Sequence, residues 1–152
     1  MTVSAVRGGL SAAFLAVLVL AGAGPARAVL PPQAYLEARR EAALHVQMRV
    51  ARVTPRPADE ACRVEGRIVR VFRGQAHPGA RIVIDAPCRF PGSVPMPGPV
   101  LWFQPGDLRK GQVLEGFLEG SADRPAIARS QLFVVSGESA EPRCGLEDYA
   151  CR

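Results

Sequence analysis

Leu44, Val46, Met48 and Val50 alternate with His45, Gln47 and Arg49. A period of two puts the apolar set on one face of an extended segment and the polar set on the other, so 44–50 is the first expected strand. TPRPADEA follows, and its two prolines, which cannot donate to a ladder, predict that the strand ends there. Alternation resumes at CRVEGRIVRVF, where Cys62, Val64, Gly66 and Ile68 oppose Arg63, Glu65 and Arg67. After Ile68 the phase slips and Val69 and Val71 take the apolar positions, which predicts a bulge or bend within the strand.

RGQAHPGA supplies turn residues, and RIVIDAPC places Ile82, Ile84, Ala86 and Cys88 on one parity. Beyond the Pro/Gly-rich FPGSVPMPGP, the short apolar run VLWF (100–103) reads as a strand covered on both sides, with Trp102 as a core anchor. QVLEGFLEG is ambiguous between a strand and one or two helical turns, whereas AIARSQLFVV (126–135) reads as the last strand. Upstream, VLPPQAYLEARREAA opens on Pro31-Pro32 and continues in helix formers, which predicts a short helix within 29–43. Five expected strands between turn signals, with at most short helices, describe an all-β barrel or sandwich over 44–135, followed by a polar tail, 136–152.

The cysteines Cys62, Cys88, Cys144 and Cys151 allow three pairings as two disulfides. If 72–80 forms the turn, antiparallel pairing gives position sums of 150 to 152 and sets Cys62 opposite Cys88, where a disulfide closes without moving the backbone. Neither CxxC nor a nearby His offers zinc or redox spacing. The expected pairs are Cys62–Cys88 and, as a local loop staple, Cys144–Cys151.

Residues 1–28 set the expected compartment. One arginine precedes the apolar LSAAFLAVLVLAGAG, and Ala26 and Ala28 form an A-x-A cleavage site. A signal peptide cleaved after Ala28 is expected, giving a periplasmic or secreted chain with no stable membrane anchor. Such a compartment is oxidising and suits an even cysteine count. Lysine occurs once, as Lys110, among 19 basic residues, a bias that suggests GC-rich coding and, with the short leader, a bacterial source. Without the leader the net charge is +3, unevenly spread: 49–89 holds nine arginines against four acids. That dipole suits an acidic partner or envelope component, but it is too weak for a nucleic-acid binder.

Catalytic chemistry finds little to build on. His45 and His77 are the two histidines, and no serine stands in a nucleophile-elbow context. His45 and Met48 fall on opposite faces of a strand, which argues against a shared copper ion. Asp107, Glu115 and Glu119 read as solvated; Glu115 and Glu119 would pair only on a helix. No catalytic, metal-binding or cofactor-binding residue is assigned.

VEGRIVRVFRGQAHPGARIVIDAPC followed by PGPVLWF resembles the netrin/TIMP-like group of OB-fold barrels, with the likeness extending over about 44–134. Gly66, Val69 or Val71, Phe72, Arg73 and Gly74 match that group's first strand and turn; Ile82, Ile84 and Cys88 match the second element, and Gly98, Leu101 and Phe103 the third. The resemblance implies a five-stranded OB-like Greek-key barrel, here stapled by disulfides, of the kind found in small exported bacterial proteins. Metalloproteinase inhibitors of the group act through a cysteine at the mature N-terminus. The expected mature chain begins VLPPQAY and has no cysteine before Cys62, so that chemistry is not inherited. An exported, non-enzymatic binding module is therefore expected. Its partner surface would lie on the polar side of the first strands, at Gln47, Arg49, Arg63 and Arg67, and in the loop around Met96. The alternatives are an exported hydrolase or metal-handling protein using His45 or His77, and a protease inhibitor presenting loop 89–99.

Overall fold

The computed structural model describes residues 30–94 and 100–146, and one helix and five strands account for about half of these. The expected signal peptide (1–28), Met96 and Cys151 lie outside the described residues.

Helix α1, Pro32–Glu41, starts with a proline in its first turn, where the missing N–H has no helical partner to lose, and ends on Arg39 and Arg40. Cations in the last turn face the negative end of the helix dipole. Strand β1, Leu44–Arg56, runs six residues beyond Val50. Pro55 does not stop it, because there it lies past its pairing with β4 and is paired with β2 alone, and the strand ends before Pro57. A short 3-10 turn, Pro57–Asp59, reverses the chain into β2, Ala61–Arg73. Strand β3 is Arg81–Pro87, β4 is Val113–Glu119 and β5 is Ala126–Val135.

All pairings are antiparallel, in the order β3-β2-β1-β4-β5. Because β4 returns beside β1, the first four strands have Greek-key order. The edges β3 and β5 touch each other, but no ladder joins them among the described residues, so the sheet is open rather than a closed barrel. The fold class is otherwise the expected one: five strands, one short helix and a disulfide staple.

Two strand assignments change. The ambiguous 113–119 is the central strand β4, and its burial on both faces is what hid the alternation. VLWF is no strand: Phe103 alone forms a bridge, to Cys88, while Val100 and Leu101 are exposed. Trp102 is half-buried at the surface rather than a core anchor.

Register explains the staple. Pairs between β2 and β3 sum to 148, so Cys62 faces Ala86 and its disulfide runs one rung diagonally to Cys88, with Cα atoms 5.5 Å apart. The expected sum was two too high because the turn closes earlier, at the Ile68 N–H to Ala80 O bond. Past that point β2 leaves β3 and pairs only with β1. The phase slip at Val69 is a bulge: Met48 faces Ile68 and Gln47 faces Arg70, which leaves Val69 unmatched.

The inward face packs Leu44, Val46, Met48, Val64, Ile68, Ile82, Ile84, Leu114, Leu118 and Leu132 into one core. Each such aliphatic side chain gains about 1.5–3 kcal/mol on leaving water. A second, smaller cluster, Ala38, Ala42, Phe117, Ala128 and Cys144, forms where α1 and the tail cover the outer face. The central sheet is thus a buried middle layer, and its polar positions on β1 and β4 are interior ones.

Candidate functional site

Gln47 and Glu115 are directly opposed across β1 and β4, and His45 is opposed to Phe117. All four point to the outer face, where the tail closes over them. Glu115 is fully buried and accepts four hydrogen bonds. Its Oε1 receives His45 Nε2 at 2.9 Å and the Cys144 N–H at 2.9 Å. Its Oε2 receives Gln47 Nε2 at 2.7 Å and the Arg143 N–H at 3.0 Å. Burial pushes this carboxyl's pKa upward, but the bonds from His45, Gln47, Cys144 and Arg143 outweigh it and hold the group below its ordinary value.

The remaining polar atoms are matched as closely. Gln47 Nε2 also donates to Ser139 Oγ at 2.8 Å, and its Oε1 accepts the Ser139 N–H at 3.0 Å. The Ser139 hydroxyl donates to the Glu141 carbonyl. His45 stacks on Phe117 with ring centroids 3.8 Å apart. From α1, the buried Arg39 donates to Gln131 Oε1 and to Gly145 O and lies 5.3 Å from the Phe117 centroid. This is a clasp: an interior carboxylate and an interior guanidinium fix the tail and the helix onto the middle strands. Cys144 is buried and disulfide-bonded; Cys151, its expected partner, lies outside the described residues.

The clasp corrects two readings of the sequence. Glu115 is not solvated, and Gln47 is fully buried and leaves the expected partner surface. The signal for Glu115 was an acid set inside the apolar run VLEGF. Reading it needed the β1–β4 pairing across about seventy residues, which no local pattern encodes. Glu115 and Glu119 are not a carboxylate pair, since the segment is a strand and Glu119 is exposed. His77 is exposed in the β2–β3 turn. Among the described residues, no group of three His, Cys, Asp or Glu side chains is placed to hold a metal ion.

The arginines occupy the exposed part of the sheet. Arg49 is opposed to Arg67 across β1 and β2, and Arg67 to Arg81 across β2 and β3, so three cations share one rung. Like charges on opposed positions disfavour a sheet unless something neutralises them. Arg49 reaches Glu138 at 2.6 Å, and Arg81 reaches Glu65 at 2.6 Å. Glu65, also paired with Arg52, has its pKa lowered by the hydrogen bonds from Arg52 and Arg81. Arg63 lies 3.5 Å from Asp85, which Arg56 shares. Arg67, the middle cation, donates to the Gly79 carbonyl at 2.9 Å and has no carboxylate partner among the described residues. Arg49 and Arg67 line a surface groove of about 550 Å³ together with Lys110, Glu138, Ala51, Val69 and Pro78.

No protein-family model matches the chain, and a comparison with curated proteins finds no match.

Proposed function

We propose that the chain is an exported, non-enzymatic binding module with an OB-like, netrin/TIMP-like barrel, acting in the periplasm or outside the cell. The observation that carries the reading is the groove beside the opposed Arg49 and Arg67, a basic surface on the exposed part of the sheet. Its volume is in the range of ligand-binding clefts. The strand order, with edges β3 and β5 in contact, is compatible with the partly open Greek-key barrel of OB folds, which bind through a strand face and adjoining loops. The buried disulfide supports an oxidising compartment.

A hydrolytic or metal-handling role for His45 has less support, because its imidazole is spent on Glu115 in a closed interior. Two measurements test the proposal. N-terminal sequencing of protein recovered from the envelope or medium is expected to begin at Val29; an intact leader in a cytoplasmic fraction would refute export. Affinity capture with tagged mature protein is expected to retain a saturable partner, and failure to retain any component of the envelope fraction would refute the binding role.

A further inference from the structure

We infer that the Arg49–Arg67 groove docks an extended acidic segment of a partner protein, whose carboxylates complete the charge pairing that this chain leaves open; the inference rests on the binding-module reading above. Three features converge on it. The rung Arg49–Arg67–Arg81 sets three guanidinium-bearing positions side by side across neighbouring strands, yet only its two outer members have carboxylates of their own. The middle one, Arg67, turns to a backbone carbonyl instead. Lys110 adds a further cation to the lining, so an anion entering the groove meets charge from β1, β2 and the loop before β4.

The shape of the groove selects among anions. Its lining offers no aromatic face on which a nucleobase could stack. A flat anionic membrane is opposed by Glu138 and Glu65, which flank the rung. The exposed large apolar residues Val94, Val100, Leu101 and Val134 do not line the groove, and the apolar part of its lining comes from Val50, Ala51, Ile68, Val69 and Pro78, which would pack against the aliphatic stems of a bound chain beside the cations. Glu138 also lines the groove but is held by Arg49, so a narrow chain with spaced carboxylates can pair with Arg67 and Lys110 while Glu138 stays on Arg49. Charge complementarity is therefore the recognition, with Arg67 as its centre.

The test uses full-length mature protein and a fluorescent oligoglutamate peptide, read by anisotropy at low and physiological salt, beside phosphatidylglycerol vesicles in a sedimentation assay. Arg67→Glu is expected to weaken peptide binding by at least roughly tenfold, with Arg67→Gln in between, since a like charge at a docking site costs far more than a missing contact. Arg124→Glu, an equal change of net charge on the β4–β5 loop, is expected to change it by less than about twofold if recognition is local rather than due to net charge. Urea midpoints of all variants check that the fold persists. Equal losses in Arg67→Glu and Arg124→Glu, or vesicle binding without peptide binding, would overturn the inference. A captured envelope partner that still binds Arg67→Glu would overturn it too while leaving the binding-module reading in place. Absence of both partner and peptide binding in the unmodified protein would overturn both.

Discussion

Replacing Glu115 tests whether the clasp holds the outer layer. Glu115→Ala removes the acceptor for the His45 Nε2, Arg143 N–H and Cys144 N–H donors; Gln47 Nε2 keeps Ser139 Oγ. A buried donor left unpaired costs about 1–3 kcal/mol, and the carboxylate's own desolvation, now relieved, offsets part of that. The expected net loss is about 3–5 kcal/mol, the lower part of the range for three orphaned donors. Glu115→Gln should cost less. Its amide nitrogen can face His45, whose Nε2 accepts in the other tautomer, so the Cys144 N–H alone is orphaned, at about 1–3 kcal/mol. Urea unfolding at neutral pH, followed by Trp102 fluorescence, measures both, and limited proteolysis should cleave near 139–145 in the alanine variant first. A Glu115→Ala midpoint within about 0.5 kcal/mol of the parent would refute the argument, since that is the range of an inert surface change.

Three further outcomes follow from the same contacts. Glu115 titrates below its ordinary value of 4.5, so its contribution is present above that pH and is lost as pH falls through the lowered value. Acid unfolding should shift when Glu115 is replaced by Gln, which a pH titration of the urea midpoint would detect. Removing the Cys62–Cys88 disulfide, with its sequence separation of 26, as a double alanine variant should lower stability by about 3.5 kcal/mol on loop entropy; an unchanged melting midpoint would contradict this. Gly66→Ala should destabilise by about 1–3 kcal/mol, because its Cβ would lie 2.4 Å from the Arg49 carbonyl oxygen and 2.6 Å from Met48 Cε. Thermal unfolding indistinguishable from the parent would mean that β1 and β2 can separate there at no cost.

Local periodicity predicted what is local. The alternation at 44–50, the bulge at Val69 and the helix around Pro32–Glu41 are all visible in single windows of sequence. The disulfide between Cys62 and Cys88 was also legible, although by a register two positions out, because a diagonal pair on one face satisfies the same geometry as a direct one. What failed depended on the other side of the sheet. Leu114 and Phe117 are both buried although they face opposite ways, and a strand covered twice loses its period. Gln47 looked like a surface residue for the same reason: nothing near it announces that residues 139–145 will lie over it. Arg49 and Arg67 were legible as exposed cations; their opposition on one rung, and the inclusion of Arg81 and Lys110, required the register.

The clasp also fixes an order of events in the making of the protein. Arg39 meets the Gly145 carbonyl 106 positions later, and His45 meets Glu115 70 positions later. A chain that emerges N-terminus first, from a ribosome or a translocation channel, carries its helix and first strand without their outer cover until residues 139–145 have appeared. The core hairpin of β1 and β2 can form early from near neighbours, but the second cluster waits for Cys144. A chain truncated just before Ser139 would keep the core strands, yet it would leave His45, Gln47 and Glu115 open to water. Closure of the outer layer is thereby a late step that needs residues 139–145.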